Sequence, residues 1–294
     1  MNIELTQEHS FTVRAGANAV RGLFHVDKWE GLDKYADARG QSLILNGDAV
    51  VTGSPDLLFQ LRNGPIAPGF VPVPETKLPG GIVVPAFQVA QYVSSDGGDG
   101  KSRGQRDRQA VDQKSIFQSA KQACTNAGYS MITETQWLAI AYNASQQAEN
   151  WTEGRVGHGT MFQGIRKGNV SSAQPGDFQS KDPEERRWLV LSNGSRICDF
   201  NGNVFQWVFD DVQGDEQGLI AKTITLESPS QSTAPPIRPI KKGLGYRPDS
   251  ARDWSGRALI RGGCCFSDDY AGAFNLGLDW PDDDYGNVGF RCTK

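Results

Sequence analysis

Residues 261–292 read RGGCCFSDDYAGAFNLGLDWPDDDYGNVGFRC and divide into two populations. One is apolar or small and reads as scaffold, with Gly262, Gly263, Ala271, Ala273, Val288 and Phe290 among its members. From Phe274 to Asp279 apolar and polar residues alternate strictly. Successive side chains of a strand point to opposite faces, so Phe274, Leu276 and Leu278 are expected in a core. Asn275, Gly277 and Asp279 are then expected on the outer face. Val288, Phe290 and Cys292 repeat the pattern at the end of the stretch. The second population mixes aromatics, acids and small polar residues. It supplies the candidate ligand-binding set: Cys265, Phe266, Ser267, Asp269, Tyr270, Asn275, Gly277, Asp279, Trp280, Asp283, Asp284, Tyr285 and Gly286. An ordinary polar loop would favour Ser, Thr, Lys and Asn over four aromatics set among aspartates. Rigid rings supply contact area and acids supply selectivity, so a strand scaffold behind such a set suggests a binding surface.

The rest of the chain narrows the class. Its 294 residues are long for a single core, so one large domain, or one domain with a smaller companion, is expected. A hydrophobic content of 38% with 22% charged residues fits an ordinary soluble protein, and a net charge of −4 offers no footprint for nucleic acid or an anionic membrane. The opening MNIELTQEHSFTVRAG has neither a basic start nor an apolar run, which gives the expectation of no signal peptide and of a cytoplasmic protein. Five cysteines are too few for a disulfide scaffold; reduced thiols are the default, with a Cys198–Cys292 pair left open.

In chain order, residues 1–64 carry short β-like pieces (SFTVRA, SLILNG, AVVTG) separated by Gly, Asn and Asp, which predicts a small β-rich domain. The Pro/Gly-rich stretch 65–81 predicts a connection without regular structure. Residues 82–294 form the main domain. IVVPAFQVAQYV (82–93) predicts two β pieces broken at Pro85, and the following SSDGGDGKSRGQRDRQ reads as a polar loop. Asp112 is a candidate cap for a helix carrying Ile116, Phe117, Ala120 and Cys124 and ended by Gly128. Thr133-Glu134-Thr135-Gln136 matches a capping box opening a second helix with Trp137, Ile140, Ala141 and Ala144 as its apolar stripe. Residues 187–191 and 204–208 read as strands around a turn at Asn201-Gly202-Asn203. The architecture expected is α+β, with two helices on small twisted antiparallel sheets and long loops.

Three motifs in fixed order carry a family resemblance: Met131-Ile-Thr-Glu-Thr-Gln-Trp137, Gly202-Asn-Val-Phe-Gln-Trp207, and Arg261-Gly-Gly with Gly289-Phe-Arg-Cys292. Together they resemble the formylglycine-generating-enzyme (sulfatase-modifying factor) branch of the C-type lectin fold, over roughly residues 80–294. Within that branch the tail resembles the variable proteins of diversity-generating retroelements, whose C-terminal cassette is rewritten by reverse transcription that mutates adenines. Asparagine codons are the usual targets. Their products include Phe, Ser, Tyr, Cys, Asp and Gly, the residue types that fill the second population apart from Trp280. The resemblance implies a hypervariable cassette at 261–292 and selective, non-covalent binding of a protein or cell-surface ligand. It would allow residues 1–64 to attach the display domain to a phage tail or a cell surface.

The same resemblance raises two alternatives, an oxidase and a calcium-dependent carbohydrate-binding lectin. The parent enzyme's oxidase activity depends on a separated cysteine pair near its C-terminus. Cys264 and Cys265 are adjacent and do not reproduce it, so no catalysis is expected; one packed thiol and one surface thiol is the plainer reading. His9, His25 and His158 share no metal-ligand spacing. Ser95 to Ser102 lacks the first glycine of a phosphate loop and the helix that should follow. Asp282-Asp283-Asp284 and Asp210-Asp211 are the candidate calcium ligands, since that ion favours clustered oxygens, though no calcium-loop spacing supports them and no cofactor is required.

Overall fold

A computed structural model describes residues 65–96, 99–110, 116–236 and 242–294, and the backbone of six strands between His9 and Thr52. The chain divides into two compact units, Met1–Pro68 and Gly69–Lys294. In the first unit the strands form two three-stranded sheets. One orders Asn18–Phe24, His9–Ala15 and Ala49–Thr52; the other orders Lys28–Gly31, Lys34–Ala36 and Ser42–Ile44. The stretch 58–64 lies outside the described residues.

The second unit is mixed α and β, with few helices and small sheets. Its elements include β1 (Phe70–Val73), β2 (Phe87–Ala90), α1 (Phe117–Asn126), β3 (Ser130–Met131), α2 (Glu134–Ser145), β4 (Phe205–Val208), β5 (Ala258–Gly262), β6 (Gly272–Asp279), β7 (Val288–Phe290) and β8 (Cys292–Thr293). Two four-stranded sheets carry it, ordered β3-β8-β2-β1 and β6-β5-β4-β7. All pairings are antiparallel except β4 with β7. The prolines of 65–81 do not keep that stretch irregular. β1 pairs with β2, and Thr76–Lys77 pairs with Val83–Val84, because the prolines fall where no ladder N–H is needed or between strands.

Both helices obey their local signals in part. α2 opens on the expected box: the Gln136 N–H donates to Thr133 Oγ1 (3.2 Å) and the Thr133 N–H to Gln136 Oε1 (3.0 Å). Its whole central stretch, not only one stripe, is buried. α1 begins after Ile116 without a side-chain cap; Asp112 lies outside the described residues. Gly128, at φ +80°, follows its end as expected. Residues 188–190 and 205–208 are strands but not partners. Trp188–Val190 pairs with Arg196–Cys198, and β4 pairs with β5 and β7. The intervening turn at Asn201–Asn203 therefore leads from one sheet into another.

Directly opposed residues share a face, so the register of β5 and β6 separates two faces of their sheet. Leu259, Phe274, Leu276 and Val208 join the larger cluster around Trp137, Leu138 and Ile140 on α2. Ala258, Ile260, Trp207, Val288 and Phe290 join a second cluster with Phe117, Ala120 and Cys124 on α1. The alternation in 274–279 thus has core on both sides. α1 and Tyr285 cover the face that the pattern assigns to solvent at Ala258 and Ile260, and residues 244–246 with Tyr270 enclose it at Asn275. At 3% exposure Asn275 is buried, and Gly277 and Asp279 are half-buried.

A disulfide joins Cys124 on α1 to Cys292 on β8, replacing the expected free thiols at both positions. Cys198 has no role in it and is a buried free thiol. α1 packs against the sheet that carries the chain end, which places two cysteines 168 residues apart side by side. No helix among the described residues is long and apolar enough to cross a membrane.

Candidate functional site

The cassette is held by groups the sequence hides among its charged residues. Arg261 is fully buried. Its Nε donates to Glu134 Oε2 at 3.0 Å and its Nη2 to Glu134 Oε1; Nη1 reaches the carbonyls of Phe274 (3.3 Å) and Asn275 (3.1 Å). One guanidinium therefore ties β5, β6 and the first residue of α2. Burial raises the Glu134 carboxyl, and Arg261 pulls it back down. Arg291, also fully buried, links the sheets by donating to Gln206 Oε1 (2.9 Å) and to the Cys198 carbonyl (2.7 Å). Trp137 donates its indole N–H to the Ala273 carbonyl at 2.8 Å and stacks on Phe200. Gly262, at φ +93°, leaves room for this stack, since a Cβ there would lie 2.9 Å from the Phe200 carbonyl.

Between β5 and β6 the chain makes a tight turn. Ser267 Oγ accepts from the Cys264 N–H (2.8 Å), and the Tyr270 N–H donates to the Ser267 carbonyl (2.9 Å). Neighbouring framework segments fix the outside of the turn: the Cys265 N–H donates to Asn203 O, the Gly168 N–H to Cys265 O, and the Asp268 N–H to Arg166 O. The Arg166 side chain, itself 9% exposed, reaches Asp268 (3.0 Å) and Asp269 (3.2 Å). Asp268 sits at φ +46°, a conformation acidic residues tolerate better than most. The turn aims Phe266 and Tyr270 outward at 55% and 53% exposure. Tyr246 packs beside Tyr270 with ring centroids 5.4 Å apart.

The second outward group begins where β6 ends. Trp280 is 51% exposed, with the Arg257 guanidinium over its ring. Asp282, Asp283, Asp284 and Gly286 are exposed, and Tyr285 is half-buried against the second cluster. The Tyr285 hydroxyl donates to Asp283 Oδ2 at 3.0 Å. Asp279 and then partial burial push its phenol above the usual range. The segment then returns toward the first turn, where Asn287 Nδ2 donates to Cys264 Sγ at 3.6 Å. Seven residue steps of β6 set the two turns about 24 Å apart along the strand.

Three members of the predicted set are drawn into the framework. Cys265 is 1% exposed because its backbone is clamped from both sides, and Cys264 is buried with it, so neither is a surface thiol. Burial and then the neighbouring Cys264 push the Cys265 thiol up to about 11, far from a nucleophile at neutral pH. Asn275 donates Nδ2 to the Tyr270 carbonyl (2.8 Å) and acts as an internal brace. Ser267 is half-buried with its hydroxyl spent on the turn.

The candidate calcium pair at Asp210–Asp211 is committed elsewhere. Asp210 accepts from Val212 N–H, Gln213 N–H and Gln213 Nε2, and Asp211 accepts from the Thr135 N–H at the start of α2. Among the described residues no three His, Cys, Asp or Glu side chains converge as a metal site. Arg166, Tyr246 and Arg257 escape a sequence reading altogether, since they lie between 23 and 103 residues from their cassette partners and no local pattern marks them.

No family model and no curated protein sequence matches the chain. Among solved structures it is similar to PvdO from Pseudomonas aeruginosa, at 15% identity and a TM-score of 0.35, covering 76% of this chain and 90% of that one. It is also similar to two forms of the Major Tropism Determinant, the I1 and U1 variants. Each is 14% identical with a TM-score of 0.38, covering 97% of this chain and 71% of the other.

Proposed function

We propose that this chain is a selective, non-covalent ligand-binding protein of C-type-lectin-like fold, whose C-terminal cassette is diversified by a retroelement and displayed to protein or cell-surface ligands. One observation carries the reading: Phe266, Tyr270 and Trp280 are each more than half exposed, the first two on a turn whose base at Gly263–Cys265 and Ala271 is buried and the third at the end of β6, whose first five residues are buried. Large apolar side chains in such settings mark interaction sites, and backbone bonds to the framework hold their positions whatever the side chain. In this reading the ligand-facing set is Phe266, Asp269, Tyr270, Asp279, Trp280, Asp283, Asp284, Tyr285 and Gly286, while Gly277 packs toward Ile260. Cys265, Ser267 and Asn275 leave it for the framework. The reading requires no metal, no catalytic residue and no membrane contact.

Two experiments test it. Tyr270→Ala and Trp280→Ala should each leave the unfolding free energy in urea within about 0.5 kcal/mol of the parent while weakening the binding of any ligand selected against the parent by more than about tenfold. Unfolding by either substitution overturns the division between scaffold and display. For diversification, the encoding DNA should hold a nearby near-copy of codons 261–292 that differs almost only at adenines.

A further inference from the structure

The charge of the molecule is distributed unevenly. The chain has 30 Lys and Arg against 34 Asp and Glu. The cassette 261–292 holds six of the acids, Asp268, Asp269, Asp279, Asp282, Asp283 and Asp284, and only two of the bases, Arg261 and Arg291. The remaining 28 bases and 28 acids cancel, so the whole net charge of −4 resides in this one stretch. Both of its bases are fully buried, whereas all six acids are at least partly exposed. Among the described residues no Lys or Arg forms an ion pair with Asp279, Asp282, Asp283 or Asp284. The outer surface of the cassette is anionic and aromatic at once.

Two framework arginines that touch this surface show what it accepts. Arg257 lies over the Trp280 ring, and Arg166 sits between Asp268 and Asp269. Beneath the first turn a cavity of about 380 Å³ opens between Asp269 and Glu184. Arg166 lines it, and its Nε has no hydrogen-bond partner. Asp269 and Glu184 are 60% and 67% exposed at the side chain, so oxygens not turned toward Arg166 remain open to a ligand. A peptide carries both complements, cationic side chains for the carboxylates and backbone carbonyls for the part of the Arg166 guanidinium that lines the cavity. A bare metal ion carries only the first.

Resting on the proposed binding role of the same face, we infer that it selects a protein partner presenting lysine or arginine side chains. Guanidinium and ammonium groups stack on the exposed rings and pair with the surrounding aspartates. The anionic field speeds their approach and repels acidic partners and nucleic acid.

The test uses the full chain and three fluorescein-labelled peptides of one Gly/Ser/Tyr background, bearing four Arg, four Gln or four Glu, read by anisotropy. The Arg peptide should bind at least about tenfold more tightly than the other two, and salt raised from about 0.05 M to about 0.5 M should weaken it about tenfold. Asp282→Asn/Asp283→Asn/Asp284→Asn and Trp280→Ala should each weaken it severalfold, with unchanged thermal unfolding. If the Gln or Glu peptide binds as tightly and Trp280→Ala removes that binding, the charge selection falls and the face reading stands. If the Arg peptide binds but ignores both variants, both fall. Absence of Arg-peptide binding at millimolar concentration also overturns the selection, as does binding that appears only with added calcium.

Discussion

The two ends of β6 carry turns of similar composition held in opposite ways. The first, Phe266 to Tyr270, is fastened by Arg166, by Asn203 and by its own Ser267 hydroxyl, with Cys264 and Cys265 packed beneath. The second, Trp280 to Gly286, rests on the sheet through Tyr285, on α1 through a bond from the Phe117 N–H to the Pro281 carbonyl (3.0 Å) and against Arg257 through the Trp280 ring, and otherwise meets solvent. Turn chemistry alone therefore does not decide how firmly a loop is set; the framework groups that reach it do. The first turn presents side chains from a fixed platform, while the second offers acids and one ring with more freedom to adjust.

The sharpest way to break this contrast is to cut the platform beneath both turns. Glu134→Gln leaves the Arg261 guanidinium buried without its counter-charge, and should destabilise the fold by about 3–5 kcal/mol in urea denaturation. Replacing both residues with leucine should recover much of that loss, since an apolar pair carries no unpaired charge. A retained loss in the double variant would show that the carbonyl contacts of Arg261, not its charge, hold β6.

Next in size is the disulfide. Cys124→Ser should cost about 2–4 kcal/mol, because the bond closes a loop of 168 residues between α1 and β8. Without reductant, unfolded protein should show three alkylatable thiols, Cys198, Cys264 and Cys265, and reduction should raise the count to five. Five thiols without reductant would return Cys124 and Cys292 to the free state expected from composition.

How much of this was legible beforehand depends on how local each cause is. The capping box at Thr133–Gln136, the break at Pro85, the burial of Phe274 and Leu276 and the partial burial of Leu278 follow from neighbours a few residues apart. The burial of Asn275 does not. A period of two identifies two faces, but only tertiary packing reveals that residues 244–246, bonded along β6, and Tyr270 enclose Asn275. The partner of residues 188–190 was missed because Arg196–Cys198 is short and begins with a charged residue. Cys265 misled for a different reason: its residue type suits the display set, while its burial is imposed by Asn203 and Gly168, about 62 and 97 residues earlier. For the site, residue type pointed to Phe266, Tyr270 and Trp280, and nothing local pointed to Arg166 or Arg257.

Arg166→Ala addresses the difference between the turns directly. The Asp268 N–H still finds the Arg166 backbone carbonyl, so the turn should loosen without unfolding, at a global cost of about 1–2 kcal/mol. Amide exchange at residues 264–271 should accelerate severalfold while residues 280–287 keep their parental rates. Equal acceleration in both turns would mean that they move as one unit and that the platform is shared.

The smallest effect separates two glycines of the candidate set. Gly286 is exposed, and a Cβ built there meets nothing within 4 Å, so Gly286→Ala should change stability by less than about 0.5 kcal/mol. Gly277 lies on β6, where a Cβ would approach Ile260 Cγ1 at 3.2 Å. Ile260 can yield only by pressing into the cluster that contains Trp207 and Phe117. Gly277→Ala should therefore cost about 1 kcal/mol more than Gly286→Ala, and larger side chains should widen the gap. Chemical denaturation of the two variants side by side resolves the difference. Equal tolerance at both sites would place Gly277 among the freely variable positions and show that the covered face of β6 is looser than its packing indicates.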